Sequence, residues 1–140
     1  MRVSARCDYT CRALLELSLN WEHRKPLHLR EISKRQRIPV KYLVLILIQL
    51  KQLGIVESLR GKNGGYILAV PPSNIKLGWI LKELFGPLLP LGESALKNKS
   101  IFLDIWKEAE DAMAGVLDSF TFEDIVNRIR GKKGVLFYQI

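Results

Sequence analysis

The chain has 140 residues, 48% of them hydrophobic, so it can bury a core and is not a candidate for disorder. The longest purely apolar run, residues 43–48, is far too short for a membrane span, and the charged first residues do not resemble a signal peptide. The net charge of +8 lies wholly in residues 1–70, with 13 basic against 5 acidic residues, whereas residues 71–140 hold 9 of each; this favours a nucleic-acid partner over a merely basic surface.

The first predicted helix spans Ser4 to Asn20, with Ser4 as its N-cap. Cys7 and Cys11 lie four residues apart on it, a spacing that suits neither a structural disulfide nor a zinc site, so we expect a cytoplasmic protein. The polar loop that follows carries His23, and His28 comes soon after it; both are interpreted as ordinary surface residues. The core-facing residues predicted for the helix are Ala5, Tyr9, Ala13, Leu14, Leu17 and Ser18.

Residues 29–66 have the pattern of a helix, a turn, a second helix and a basic β-hairpin. The first helix covers residues 29–36, Pro39 favours a turn, and the second helix runs from Val40 to about Leu53 and stops at Gly54. Strands over 55–59 and 66–70 flank a glycine-rich tip. Arg37 occupies the turn position where glycine is commonest, which predicts strain if its φ is positive. This order is the plan of a winged helix-turn-helix, which inserts its second helix into the major groove of DNA.

The DNA-contacting residues are predicted on the second helix and the hairpin tip. Lys41 and Tyr42 are expected to reach phosphates and base edges, and Arg60 the minor groove. The alternative for Arg60 is a solvated arginine at a strand end. The full predicted set is Arg2, Lys41, Tyr42, Val44, Leu45, Arg60, Lys62, Asn63, Gly64 and Gly65, the two glycines allowing a tight turn.

The second helix has an inward stripe of Leu43, Ile46, Leu47 and Leu50, which leaves three aliphatic residues, Val44, Leu45 and Ile48, largely outside it. One hypothesis is that these three contact thymine methyl groups, giving relaxed specificity that leans toward A·T pairs. A second is an exposed apolar patch for a protein partner. A third is that Ile48 and Leu45 are covered by the first helix or the hairpin.

Beyond the hairpin, residues 71–74 break the chain, residues 77–84 form a short helix, and the loop at 86–92 is the predicted boundary. The longest helix, 94–118, carries a continuous apolar stripe that is predicted to pair with its copy in a second subunit; packing within the chain is the alternative. Thr121 caps a final helix to about Ile129, followed by a linker at 131–134 and an extended apolar tail. The predicted dimerisation residues are Phe102, Ile105, Trp106, Ala109, Ala112, Met113, Val116 and Leu117.

These predictions give a mainly α fold with a small β-hairpin, a winged helix-turn-helix plus a long C-terminal dimerisation helix. The DNA-binding domain is assigned to residues 1–85, the dimerisation helices to 86–130 and the C-terminal tail to 131–140.

Several short motifs are spread from residue 1 to about residue 130. They are Met1-Arg2-Val3-Ser4, Tyr9, Ala13-Leu14, Ile32-Ser33 with Gln36, Lys41-Tyr42-Leu43, Leu50, Gly54-Ile55-Val56, Arg60-Gly61, Gly64-Gly65-Tyr66, Pro72, Ile75, Gly78, Trp106, Asp118-Ser119 and Thr121. Together they resemble the Rrf-two family of small bacterial winged-helix transcription regulators, typified by IscR, NsrR and CymR. The resemblance implies a homodimeric cytoplasmic regulator that binds pseudo-palindromic promoter DNA.

The sequence departs from the family in two places. Several members hold an iron–sulfur cluster through three cysteines between the short helix and the long one, but residues 85–99 contain none, so no cluster or other cofactor is expected. Asp8 matches a position that helps to ligate the cluster in one branch, and one carboxylate cannot hold it alone. Members usually have polar residues where this chain has Val44 and Leu45.

The leading prediction is therefore a homodimeric DNA-binding repressor without a cluster. The alternatives are a dimeric protein-interaction module that has lost sequence-specific DNA binding, and a thiol sensor that uses Cys7. An enzyme has the least support, since no nucleophile–base pair or metal-ligand set appears and the glycines at 61–65 lie between strands rather than opening a helix.

Overall fold

The structure, a computed structural model, describes residues 2–138, and its account of side chains ends at residue 131. It confirms a mainly helical fold with one two-stranded antiparallel hairpin. None of the helices within residues 2–138 combines the length and apolar character needed to cross a bilayer. In chain order the elements are α1 (Ala5–Leu19), a 3₁₀ turn (Trp21–His23), α2 (Leu29–Gln36), α3 (Val40–Gln52), β1 (Val56–Leu59), β2 (Gly65–Leu68), a 3₁₀ turn (Pro72–Asn74), α4 (Leu77–Phe85), α5 (Glu93–Asn98), α6 (Ile101–Asp118) and α7 (Phe122–Tyr138).

Helix α1 begins where the sequence predicts, because Ser4 caps it: the Cys7 amide donates a hydrogen bond to Ser4 Oγ at 3.1 Å. Its centre and C-terminal half supply the buried side chains, among them Leu14 and Leu17. Ala5 was predicted to face the core and is exposed instead, because the first turn of the helix extends past the packed elements.

The turn between α2 and α3 is held by Ser33 and Ile38. Ser33 Oγ donates to the Ile38 carbonyl at 2.6 Å, the Ile38 amide donates back to the Ser33 carbonyl at 3.0 Å, and the Ile38 side chain is buried. Arg37, at the position where glycine is commonest, has a left-handed conformation with φ +54°, so the strain considered for a positive φ applies. Gly54, with φ +76°, follows α3 and turns the chain toward β1.

The hairpin pairs Val56 with Leu68 and Leu59 with Gly65. A third stretch of backbone joins it, because Leu27 exchanges two hydrogen bonds with Tyr66: the Leu27 amide donates at 2.9 Å and the Tyr66 amide at 2.8 Å. The tip end of β2 is thus tied to the residues immediately before α2.

One hydrophobic core collects side chains from both ends of the chain. Phe122, at the start of α7, is 1% exposed and belongs to the same buried cluster as Leu14 and Leu43. The backbone supports this return, because Leu77 donates to the Phe120 carbonyl at 2.9 Å and Phe122 donates to the Ile75 carbonyl at 3.0 Å. The loop after α4 also reaches inward, since Leu88 is 6% exposed.

Two predicted boundaries in the C-terminal half are wrong. The helix predicted over 94–118 is broken at Lys99, whose φ of +42° ends α5, and α6 starts after the extended Ser100. Helix α7 continues to Tyr138, so the linker at 131–134 and an extended tail are wrong as far as that residue; Gln139 and Ile140 lie outside the described residues, as does Met1. A helical glycine costs only about 1 kcal/mol relative to alanine, which is too little to end a helix at Gly131.

Candidate nucleic-acid interface

Helix α3 separates its buried and exposed residues as its sequence predicts. Leu43, Ile46, Leu47 and Leu50 are at most 1% exposed, whereas Leu45 is 54% exposed and Ile48 49%. The idea that α2 or the hairpin covers Leu45 and Ile48 is therefore wrong. At about 3.6 residues per turn, the line opposite the buried stripe consists of Lys41, Leu45, Ile48 and Gln52, with Val44 beside it.

The N-terminal end of α3 rests on α1 through aromatic contacts. The Tyr42 ring lies 5.9 Å from the Tyr9 ring, centroid to centroid, and Lys41 Nζ lies 5.4 Å from the Tyr42 ring centroid. Tyr42 is still 42% exposed, so part of its ring is at the protein surface, between α1 and the outer face of α3. This arrangement places a cation and a phenol at the start of the exposed line.

The tip of the hairpin presents Arg60, Lys62 and Asn63, all exposed. No ion pair within residues 2–138 engages Lys41, Arg60 or Lys62, so their charges are available to an anionic partner. Surface potential of this kind draws DNA phosphates.

The predicted glycines at the tip serve the hairpin itself. Gly64 is buried and its amide donates to the Gly61 carbonyl at 3.0 Å; a Cβ there would collide with the Leu59 carbonyl. Gly65 has φ +143°, and a Cβ would lie 2.5 Å from the Leu27 carbonyl oxygen. Both positions therefore require glycine for contacts inside the chain, and direct contact with DNA stays a prediction.

Arg2 precedes α1 and is exposed. With Ser4 and Cys7 it lines an open cleft whose other wall is Leu81, in the middle of α4, and the loop around Leu88. Its role in binding DNA also stays a prediction.

A polar network fixes α2 against α1 and thereby sets the position of the helix-turn-helix. Arg12 Nε lies 3.1 Å from an Asp8 carboxylate oxygen, and Arg12 Nη1 donates to the Gln36 carbonyl at 2.6 Å. The Gln36 amide donates to Glu16 Oε1 at 3.0 Å, and Glu16 lies 3.5 Å from Arg35. Asp8 thus has a structural partner, and the buried Glu16 joins α1 to α2 through contacts that sequence periodicity did not reveal.

Helix α6 buries none of its 18 residues. Four of the predicted dimerisation residues are large and exposed: Phe102 at 55%, Ile105 at 43%, Trp106 at 40% and Val116 at 60%. The rings of Phe102 and Trp106 stack with centroids 5.9 Å apart. The smaller or more inward members of the set are Ala109, Met113 and Leu117, all half-buried, and Ala112, which is exposed. Packing within the chain leaves this apolar face open.

The two cysteines on α1 are poor thiolates. Burial, together with the neighbouring Cys7 and Asp8, raises the pKa of Cys11 to about 12. Burial also raises the pKa of Cys7. Because the thiolate is the reactive form, these values argue against a sensor that depends on a nucleophilic cysteine.

Comparison with known proteins gives matches along nearly the whole chain. The family model "Rrf2: Iron-dependent Transcriptional regulator" matches residues 3–128. The HTH-type transcriptional regulator CymR of Bacillus subtilis (strain 168) is 29% identical over 140 residues, 100% of both chains. IscR of Escherichia coli O1:K1, also an HTH-type transcriptional regulator, is 30% identical over 132 residues, 91% of this chain and 81% of the relative.

Comparison with solved structures finds the same two kinds of regulator, CymR and IscR. CymR of B. subtilis superposes with a TM-score of 0.81 at 29% identity, over 91% of this chain and 98% of that one. The IscR of T. potens gives 0.79 at 31% identity, over 92% and 88%.

The iron named in that family description does not fit the residues present. Residues 86–99 contain neither cysteine nor histidine, and residues 2–138 hold no group of three histidine, cysteine or acidic side chains close enough to share a metal ion. The remaining thiols, Cys7 and Cys11, have raised pKa values, whereas a metal ligand must be deprotonated.

Proposed function

We propose, from the premise that this chain belongs to the Rrf2 family of DNA-binding transcription regulators, that it acts as a homodimeric repressor at pseudo-palindromic promoter sites in the bacterial cytoplasm. The observation that carries the proposal is the exposed line of α3 together with a cationic hairpin tip, with Lys41, Arg60 and Lys62 free of ion pairs among the side chains of residues 2–131. A helix with one rigidly buried face and one open face is what the major groove admits.

The open apolar face of α6 supports the dimer. Phe102, Ile105 and Trp106 lie within two turns of one helix and leave aromatic and aliphatic surface in water, which a second copy of the helix would cover. A two-fold dimer presents two α3 helices, so its site would carry two half-sites about 34–36 Å apart along the duplex.

Retention of genomic DNA tests the regulator. Purified protein is mixed with fragmented genomic DNA, and retained fragments are sequenced; we expect a recurrent inverted repeat at promoters. Binding of that repeat, followed by fluorescence anisotropy, should weaken steeply with salt because phosphate contacts release counterions. A reporter gene placed behind the repeat should fall in expression when the protein is present.

Removing positive charges from the hairpin tip tests whether the tip contacts DNA. Arg60→Ala and Lys62→Ala should each lower affinity and flatten the salt dependence by about one counterion. Lys82→Ala, which removes an exposed cation from α4, is the matched control and should bind normally. Normal binding by Arg60→Ala and Lys62→Ala would refute the proposed role of the tip.

Light scattering tests the dimer. At micromolar concentration the mass should be twice the 16.0 kDa of one chain. Ile105→Glu places a carboxylate on the apolar face and should give monomer, whereas Lys107→Glu places the same side chain at an exposed, already charged position of α6 and should leave the dimer intact. A monomeric wild-type protein would refute both the proposed dimer and the predicted inverted repeat.

A second candidate function, a protein-interaction module, is favoured by the exposed aliphatic residues of α3, such as Leu45. It predicts that no genomic DNA is retained. It also predicts that Val44→Glu with Leu45→Gln abolishes capture of a protein partner.

A further inference from the structure

The exposed line of α3 has no hydrogen-bonding side chain over its two central turns. Between Lys41 at one end and Gln52 at the other it contains only Leu45 and Ile48, with Val44 at 36% exposure on one side and the half-buried Gln49 on the other. Hydrogen bonds to base edges in the major groove come from arginine, lysine, asparagine, glutamine and acidic side chains, none of which lies on this line between its two ends.

Apolar side chains read a different feature of the groove. Thymine places its C5 methyl group there, and cytosine, adenine and guanine have no counterpart. A methyl group removed from water against a leucine or isoleucine gains the ordinary hydrophobic free energy, whereas the same side chains gain nothing from the polar edge of a G·C pair.

The charges around this patch identify duplex DNA as its occupant rather than a protein. Lys41 lies on the same exposed line, Arg60 and Lys62 lie on the hairpin that follows α3, and residues 1–70 carry the entire net charge of +8. An exposed apolar strip that ends in a lysine, in a half of the chain with a large net positive charge, complements a groove floor of methyl groups bordered by phosphates.

We infer that Leu45 and Ile48, with Val44 beside them, determine sequence preference by contacting thymine C5 methyl groups in the major groove. The inference rests on the proposed DNA binding and adds to it the chemical group that is read. The geometry is preorganised: the opposite face of α3 is at most 1% exposed, so the helix cannot roll, and isoleucine in a helix holds essentially one χ1 rotamer.

Removing the methyl group alone tests the inference. The recurrent duplex from the genomic retention experiment is synthesised with deoxyuridine in place of every thymidine, which preserves base pairing and phosphates. Because a buried methyl contributes about 0.8 kcal/mol and 1.4 kcal/mol is tenfold in affinity, we expect Kd to rise about fourfold for each contacted methyl. The dependence of affinity on salt should not change. Equal affinity for the two duplexes would overturn the inference while leaving DNA binding itself intact.

Alanine variants assign the effect to the named side chains. Leu45→Ala and Ile48→Ala should bind the thymine duplex more weakly and should respond less to deoxyuridine than the wild type does. Leu96→Ala, at an exposed leucine of α5, should keep the full response. A deoxyuridine response that is undiminished in both Leu45→Ala and Ile48→Ala would also overturn the assignment, and retention of no DNA at all would overturn the proposed function together with it.

Discussion

Substituting alanine at Gly65 should loosen the hairpin from the helix-turn-helix. Gly65 combines a φ of +143° with close approach to Leu27, where a Cβ would lie 2.5 Å from the carbonyl oxygen and 2.7 Å from the carbonyl carbon. Leu27 cannot retreat without separating from Tyr66, to which it is joined by two hydrogen bonds. Gly65→Ala therefore imposes both backbone strain and the loss of a strand pairing.

The two costs can be separated with a second glycine. Gly61 also has a left-handed φ, +99°, but nothing lies within 4 Å of its Cβ position. Gly61→Ala should cost only the backbone strain, about 1–2 kcal/mol. Gly65→Ala should cost the same strain and about 1 kcal/mol more for each of the two hydrogen bonds, or about 3–4 kcal/mol in total.

Thermal unfolding by circular dichroism measures the difference. At roughly 3–4 °C per kcal/mol for a chain of this size, Gly61→Ala should lower Tm by roughly 5 °C and Gly65→Ala by roughly 12 °C. Because Leu27 immediately precedes the N-cap of α2, Gly65→Ala should also weaken DNA binding more than Gly61→Ala. Equal losses of Tm in the two variants would refute the argument that Leu27 crowds the hairpin.

Three further predictions concern the core, a helix cap and a thiol. Phe122→Ala removes a side chain that is 1% exposed and should cost about 3–5 kcal/mol in denaturant unfolding. Thr121→Ala should cost about 1 kcal/mol, because Thr121 Oγ1 accepts from the Asp124 amide at 3.1 Å and the Asp124 carboxylate accepts from the Thr121 amide at 2.9 Å; unchanged stability would contradict this. Cys11, with its pKa raised from 9.0 to about 12, stabilises the fold as a neutral thiol, so this contribution should be complete below pH 9 and lost as pH rises toward 12. Its alkylation should be slow at neutral pH and accelerate about tenfold per pH unit below the pKa.

The sequence was sufficient for features that depend on neighbours along the chain. The buried stripe of α3 follows directly from its 3.6-residue periodicity, so Leu43 and Leu50 are buried where expected and Leu45 is exposed. The turn between α2 and α3 falls where Pro39 disfavours helical angles at Ile38. The family and the winged helix-turn-helix fold are confirmed for the same reason, because their motifs are local.

Features that depend on distant partners could not be predicted in this way. The bond between Leu27 and Tyr66 joins residues whose own segments read as loop and strand, and no periodicity marks it. From the sequence alone, Glu16 would be assigned to the exposed face of an amphipathic helix. It is buried because Gln36 of α2 donates a hydrogen bond to its carboxylate. No proline or glycine marks the break between α5 and α6 at Lys99. The break also requires a left-handed conformation at Lys99, which residues other than glycine rarely adopt. The order of elements alone does not give these contacts, because each depends on how helices meet.

The position of Phe122 in the core also sets the order of events during synthesis. A ribosome delivers α1, the helix-turn-helix and the hairpin first, yet the cavity at their centre stays open until Phe122 emerges and the backbone near residue 121 pairs with that near residue 76. Nascent chains that lack this residue expose leucine and isoleucine surface to chaperones and proteases. The core that supports the helix-turn-helix is therefore complete only in chains that already carry α6.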